Sequence, residues 1–121
     1  MNLRIPPCSF LIIGLLMLFG IKSVSAATYT YTWKGGSSGT WNTNANWTSS
    51  PSGGTYPGTA ASDIAVFSAG GTFTVSLTAA ITLANINESS GTTLLTINTA
   101  GKAITVNSGV SLGTNSSSLI F

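Results

Sequence analysis

Residues 72–78 read Thr-Phe-Thr-Val-Ser-Leu-Thr, in which polar and apolar side chains alternate without a break. Successive side chains of a β-strand point to opposite faces, so this alternation predicts a strand with one buried face. Phe73, Val75 and Leu77 are predicted to face a core, while the Thr and Ser side chains face solvent. Similar short alternating patterns precede and follow this stretch. The same kind of strand therefore recurs along the chain and determines the fold class.

Short apolar segments and turns follow one another from Asp63 to the end of the sequence, and no proline interrupts them. Ile64 and Val66 are predicted to lie on the buried face of the strand before 72–78. Five later strands are predicted, over 81–86, 95–97, 104–106, 110–112 and 119–121. Turns rich in Gly, Asn and Ser are predicted between them, at 89–92, 99–102 and 113–118. Apolar residues at the helical spacing of about 3.6 are missing after residue 26, so the exported chain is predicted to be all-β.

The strands are short, their apolar side chains fall on one face, and Thr, Ser or Asn fall on the other. This pattern predicts a parallel β-solenoid. A weak repeat supports it, because residues 95–99 match residues 104–108 in kind, nine positions later. Asn98 and Asn107 are interpreted as turn residues or as an amide ladder between neighbouring strands, with turns favoured. A small β-sandwich is the alternative, since it also contains short strands at spacings of roughly ten residues.

Residues 1–26 are predicted to be a secretory signal peptide. Arg4 precedes an apolar run over 10–21, and Val24-Ser25-Ala26 supplies the small residues of a cleavage site. The run is shorter than the roughly 20 apolar residues that a membrane-spanning helix requires. We therefore expect export, cleavage after Ala26 and no retained membrane span.

Cleavage would leave a nearly uncharged chain with little ionisable chemistry. Four charged side chains remain, two basic and two acidic: Lys34, Lys102, Asp63 and Glu88. The net charge falls from +2 to zero, because Arg4 and Lys22 leave with the signal peptide. Two isolated lysines cannot replace the clustered cations of a nucleic-acid binder. Without His, and with Cys8 removed, disulfides and the usual zinc site are also excluded.

The acidic residues make a poor catalytic pair. Asp63 and Glu88 lie 25 positions apart, whereas acid–base catalysis needs two groups held together with separated pKa values. Asp63 is predicted to accept backbone N–H groups in a turn, and Glu88 to be a solvated loop charge. A serine nucleophile would lack a histidine base. The sequence predicts a non-catalytic protein without a cofactor or metal.

Residues 27–62 differ in composition from the rest, being rich in aromatic residues, Gly and Ser. The predicted elements are a strand over 28–33, a turn at Gly35, Gly36 and Gly39, a short strand or tight loop over 41–47, and a connecting loop over 48–59. Trp33, Trp41 and Trp47 have two interpretations. They pack in a core or cover the first turn of a stack, or they form an exposed face that binds glycans by stacking. Core packing is favoured, and a small carbohydrate-binding module is the alternative function.

The most specific local feature is a set of spaced motifs: Tyr31-Thr32-Trp33-Lys34-Gly35-Gly36, Gly39-Thr40-Trp41-Asn42, Asn46-Trp47, Pro57-Gly58 and Asp63-Ile64-Ala65-Val66-Phe67. In their order they resemble the start of passenger regions in bacterial autotransporter-type proteins that carry autotransporter-associated β-strand repeats. The resemblance implies the N-terminal part of a β-helical passenger, with an aromatic cap over 27–62 and solenoid repeats over 63–121. It also implies a surface-exposed or secreted, often adhesive, protein associated with the outer membrane. Expected partners are surface glycans or further copies that associate through open β edges.

Overall fold

The computed structural model describes residues 26–89, 91–113 and 119–121, so the predicted signal peptide lies outside the described residues except for Ala26. The described chain is nearly all β, as predicted, and its one helical segment is a 3₁₀ turn, Asn44–Asn46. Its strands are β1 Thr30–Trp33, β2 Ser38–Thr40, β3 Trp47–Ser50, β4 Ile64–Phe67, β5 Gly71–Ser76, β6 Ile81–Glu88, β7 Thr92–Asn98, β8 Ile104–Ser111 and β9 Leu119–Ile120.

The strands form two sheets. Sheet A has the order β3-β1-β4-β6-β8, and sheet B has the order β2-β5-β7-β9. Every strand pair is parallel except β1 with β3, which is antiparallel. From β4 onward, consecutive strands lie in alternate sheets, so the chain adds one parallel strand to each sheet in turn. The buried apolar side chains of both sheets belong to one core cluster.

The structural period is longer than the nine-residue repeat of the sequence. Ile64 lies opposite Asn85, 21 positions later, and Leu95 lies opposite Leu119, 24 positions later. A shift of nine residues instead carries the chain from β7 in sheet B to β8 in sheet A, so a ladder between Asn98 and Asn107 is not formed. Asn98 is a turn residue, as favoured, because its Oδ1 accepts the N–H of Ala100 at 3.1 Å.

The buried face was predicted correctly for one strand and wrongly for another. Phe73, Val75 and Leu77 are buried, as the alternation in β5 indicated. In β4, however, the core side is formed by Ala65 and Phe67, while Ile64 and Val66 are partly exposed. Both alternating sets of β4 are apolar, so periodicity could not decide between them. Pairing with β1 determines which face of β4 is buried, because the buried Tyr31 of β1 lies opposite Ala65.

Several predicted boundaries are also corrected. Gly39 lies in β2, and β3 begins only at Trp47, so residues 41–46 form the tight loop rather than a strand. The segments 104–106 and 110–112 belong to one strand, β8, which contains a bulge: Val106 lies opposite Leu83, but Gly109 lies opposite Asn85. The residues at the bulge, Asn107-Ser108-Gly109, have no apolar side chain, which made one strand resemble two. The turn predicted over 113–118 lies outside the described residues except for Gly113.

Candidate functional site

Five aromatic rings from β1, β3, β4 and the 41–46 loop form what we call the aromatic cluster: Tyr31, Trp33, Trp41, Trp47 and Phe67. Trp47 lies at its centre, with ring centroids 5.0 Å from Trp33, 5.0 Å from Trp41 and 5.5 Å from Phe67, all at steep interplanar angles. Edge-to-face contacts at this distance are favourable beyond the area that they bury. The cluster holds the first strands of both sheets together.

The three indoles are buried and their N–H groups are used internally. Trp33, Trp41 and Trp47 are 4%, 0% and 3% exposed. Their Nε1 atoms donate to the carbonyl oxygens of Gly36 at 2.8 Å, Pro57 at 2.7 Å and Trp41 at 2.7 Å, respectively. The structure therefore places these rings in the core. None of the three residues that were predicted as possible glycan-binding residues therefore presents an exposed aromatic face.

Glycines make room for these rings. A Cβ built on Gly35 would lie 2.5 Å from Cζ2 of Trp33, and one on Gly39 would lie 2.9 Å from Cη2 of the same ring. A Cβ on Gly54 would lie 2.6 Å from the hydroxyl oxygen of Tyr31. Such separations are too short for any other residue without movement of the ring or the backbone. The spacing of Trp33 and Gly35 is thus a packing requirement.

Two asparagines of the motifs act as connectors. Oδ1 of Asn42 accepts three hydrogen bonds: from the Thr78 N–H at 2.8 Å, the Thr78 hydroxyl at 3.1 Å and the Ala79 N–H at 3.2 Å. Nδ2 of Asn46 donates to the carbonyl oxygen of Thr40 at 2.8 Å. Asn42 joins the aromatic region to the chain after β5, and Asn46 covers part of the edge of β2. No role was predicted from the sequence for either side chain.

Asp63 is fully buried at the entry to β4 and closes the turn before it, as predicted. Its Oδ2 accepts from the Gly58 N–H at 3.1 Å, the Thr59 hydroxyl at 3.2 Å and the Ala60 N–H at 2.9 Å. Gly58 has a φ of +98°, and a Cβ there would lie 2.6 Å from Cβ of Ile81. Only glycine fits this backbone and this close approach.

Glu88 was predicted wrongly as a solvated loop charge, because it lies at the end of β6 and is only 3% exposed. The N–H groups of Ala84 and Asn85 both approach the Asp63 carbonyl oxygen, at 2.8 and 3.5 Å. This bulge shifts the side-chain alternation by one residue, so Ile86 and Glu88 face the core after it.

The two carboxylates are separated along the sheet. Glu88 lies opposite Phe67, four residues beyond Asp63 along β4, which is a separation of roughly 13 Å along the strand direction. Within the described ranges, no group of three or more His, Cys, Asp or Glu side chains could hold a metal ion.

Burial also acts on a phenol in the aromatic cluster. Desolvation raises the pKa of Tyr31 above its ordinary value of 10.0, and the nearby charge of Asp63 acts in the same direction. Hydrogen bonding with the Thr59 side chain and the Thr55 backbone opposes the shift, by stabilising the ionised phenol. The neutral phenol is the favoured form in the folded protein.

The opposite end of the two sheets, formed by β8 and β9 and here called the β8–β9 end, has a different surface. The large apolar side chains that are exposed in the described chain all lie there: Val110, Leu112, Ile120 and Phe121.

Compared with known proteins, the chain matches no family model, and no curated protein or solved structure is significantly similar to it.

None of the helical segments in the described ranges has the length and apolar character needed to cross a bilayer.

Proposed function

We propose that this chain is an exported, non-catalytic segment of a β-solenoid passenger of the autotransporter type, with a structural and adhesive role at the cell surface or outside the cell. The observation that carries the proposal is the regular addition of parallel strands to two sheets in turn, starting from a buried aromatic cluster. The signal-peptide pattern of residues 1–26 supports export.

The topology supports a solenoid in preference to a sandwich. In a solenoid each coil of the chain stacks on the coil before it, so strands of one sheet pair in parallel with strands of the neighbouring coils. The pairs β4–β6–β8 and β5–β7–β9 have this relationship. Immunoglobulin-type sandwiches are built from antiparallel sheets. The one antiparallel pair here joins β1 to β3, at the margin of sheet A.

The aromatic region has the features of an end cap for such a stack. A solenoid needs a different structure at its end, because the first coil has no neighbour to cover it. Here β3 returns antiparallel to β1, and its Trp47 packs against Trp33. The motifs that resemble autotransporter passengers all take part: the indoles fill the cluster, Gly35 admits a ring, and Asp63 closes the turn into β4.

The distribution of charge supports a structural rather than a catalytic role. Asp63 and Glu88 are both buried, and they lie too far apart along the sheet to act on one substrate atom. The outward side of β5 instead presents Thr72, Thr74 and Ser76. This uncharged, hydroxyl-rich face of β5 suits a passenger that presents a stable face to its surroundings.

Surface display tests the proposal. The full chain, with its own signal peptide, is fused in front of a translocator barrel and expressed in a bacterium with an outer membrane. We expect cleavage after Ala26, antibody access on intact cells and a protease-resistant core. Trp41→Ala, which damages the cap, is expected to be displayed in a protease-sensitive form. An uncleaved or periplasmic product, or a displayed parent chain that proteases degrade as fast as Trp41→Ala, would contradict the proposal.

A further inference from the structure

We infer that the outer face of sheet A carries a binding site for a neutral polysaccharide, formed by two rows of side chains across β1, β4 and β6. We call these two rows the sheet A patch. The inference deepens the adhesive part of the proposed function by naming the ligand class and its location, and it rests on that proposal only for the exported state of the chain. The three tryptophans, whose rings are buried, take no part in the site.

The two rows of the patch have the same composition. Each row contains a threonine from β1, a β-branched aliphatic residue from β4 and an asparagine from β6. The rows are Thr30-Ile64-Asn85 and Thr32-Val66-Asn87. All of these side chains are partly exposed, whereas Ala65 and Ile86, which lie between them on β4 and β6, are fully buried. The rows lie about 6.6 Å apart along the strands, so the patch presents one set of groups twice at a fixed interval.

The asparagines of the patch are not used by the fold. Within the described residues, the side-chain amides of Asn85 and Asn87 make no hydrogen bond, whereas those of Asn42, Asn46 and Asn98 all do. Asparagine is also disfavoured in β-strands, and β6 is an inner strand of sheet A. Residues that break a local rule without a structural gain are expected at functional sites. The two free amides therefore point to a ligand.

The charge distribution selects an uncharged ligand. The patch itself contains no ionisable side chain. Both acidic residues of the exported chain, Asp63 and Glu88, are buried, and both lysines, Lys34 and Lys102, lie outside the strands. A charged ligand on the patch would lose hydration without gaining a counter-ion. A neutral ligand would not incur this loss.

The arrangement of groups fits a sugar polymer. Each amide offers two N–H donors and one carbonyl acceptor, and each threonine hydroxyl donates and accepts, so both sides of the patch can pair with sugar hydroxyls. Between them, Ile64 and Val66 offer an apolar strip to the C–H face of a sugar ring. Because the two rows are alike, successive sugars of a repeating chain can make the same contacts. The site is an open face, so we expect a Kd on the order of 1 mM.

Binding of the chain, purified after export, to immobilised polysaccharides tests the inference. Dextran, mannan, arabinoxylan and cellulose are the neutral probes, and heparin is the anionic one. We expect at least one neutral probe to be bound in preference to heparin. The double variant Asn85→Thr and Asn87→Thr should weaken this binding about tenfold or more. Its urea midpoint should not fall, because threonine is the better strand residue.

A matched control removes two hydroxyls from the outer face of the other sheet. Thr74 and Thr96 lie opposite each other on β5 and β7, and the double variant Thr74→Ala and Thr96→Ala should leave binding unchanged. Nuclear magnetic resonance gives a second readout that needs no variant. The side-chain amide signals of Asn85 and Asn87 should shift when the bound polysaccharide is added, while that of Asn42 should not.

Three results would overturn the inference: binding to none of the neutral probes, preference for heparin, or equal losses in the two double variants. Unshifted amide signals of Asn85 and Asn87 in the presence of a bound polysaccharide would also overturn it. A displayed, protease-resistant chain that binds no neutral probe would refute the site alone. A chain that binds a neutral probe but is not exported would instead refute the proposed function.

Discussion

The two ends of this double sheet are both rich in apolar side chains, but within the described residues only one of them is covered. At the aromatic end Trp41 is fully buried and its N–H is bonded to Pro57, whereas at the β8–β9 end Phe121 is 62% exposed. The covered end is built from irregular chain: a returning strand, a 3₁₀ turn and a long loop whose Pro57 carbonyl oxygen accepts the Trp41 N–H. The uncovered end consists of regular strands. Closing a stack therefore requires specific partners for each ring and each backbone group, and hydrophobicity alone does not provide them.

The largest effect is expected from truncating an aromatic ring at each end. Trp41→Ala removes a fully buried ring and leaves the carbonyl oxygen of Pro57 without its donor, so the free energy of unfolding should fall by about 3–5 kcal/mol. Phe121→Ala removes a mostly exposed ring and should lower the free energy of unfolding by less than about 0.5 kcal/mol. Urea denaturation followed by circular dichroism measures both.

Trp41→Phe is the matched control, since it keeps an aromatic ring but loses the indole N–H. It should lower the free energy of unfolding by about 1–3 kcal/mol, which is the range for an unpaired buried polar group. Equal losses for Trp41→Ala and Phe121→Ala would mean that the two ends are equally packed, and the comparison would be abandoned.

The next largest loss of stability is expected at Gly35, where the absence of a side chain leaves space for the Trp33 ring. Gly35→Ala should destabilise the chain by about 1–3 kcal/mol, because its Cβ would overlap the Trp33 ring. Trp33→Phe shortens the ring and should relieve the overlap. A double-mutant cycle from urea denaturation should then give a coupling energy of about 1 kcal/mol or more. Additive losses would show that Gly35 is required for its backbone alone.

The same contrast between regular and irregular chain explains how much of the fold could be predicted. Alternation identified the core face of β5, because its Thr and Ser residues differ in polarity from Phe73 and Val75. It failed in β4, where both sets are apolar and the register with β1 decides. It also failed in β8, where the polar residues at a bulge made a single strand resemble two. Polarity patterns carry no information on register or bulges.

The burial of the tryptophans at the aromatic end was predicted from the sequence, but their hydrogen-bond partners were not. Large aromatic residues before a set of strands favour a core position, and Trp33, Trp41 and Trp47 are buried. The hydrogen-bond partners of their indoles could not be foreseen, since Trp41 bonds to a residue 16 positions away. Asn42 lies 36 positions from Thr78, a distance at which one sequence contains no pairing signal. The burial of Glu88 depended on the bulge in β6.

A smaller effect is expected where the aromatic end is joined to the regular strands. Asn42→Ala removes the acceptor of three donors, from Thr78 and Ala79, and should cost about 1–2 kcal/mol. Asn42→Asp retains an oxygen acceptor at the same position and should cost less than about 0.5 kcal/mol, because the three groups that bond to this oxygen are all donors. Thermal or urea unfolding measures both. A loss in Asn42→Asp as large as that in Asn42→Ala would mean that the amide is needed for another reason.

The smallest effect is a pH dependence confined to the aromatic end. Burial raises the pKa of Tyr31 above 10.0 in the folded chain, whereas an unfolded tyrosine ionises near its ordinary value of about 10. Its contribution to stability is therefore complete below about pH 10 and is lost as the pH rises through the folded pKa. Near neutral pH the stability therefore does not change with pH through Tyr31. We expect urea midpoints measured from about pH 8 to 11 to fall only above about pH 10.

One variant isolates the contribution of this phenol. Tyr31→Phe keeps the buried ring but removes the ionisable hydroxyl, so its stability should fall less steeply above about pH 10 than that of the parent chain. Because the β8–β9 end contains no tyrosine, amides of β1 should lose hydrogen-exchange protection in alkali before those of β6. If both strands lost protection together and Tyr31→Phe kept the parent slope, the alkaline transition would be a property of the whole sheet, and the difference between the ends would not extend to pH.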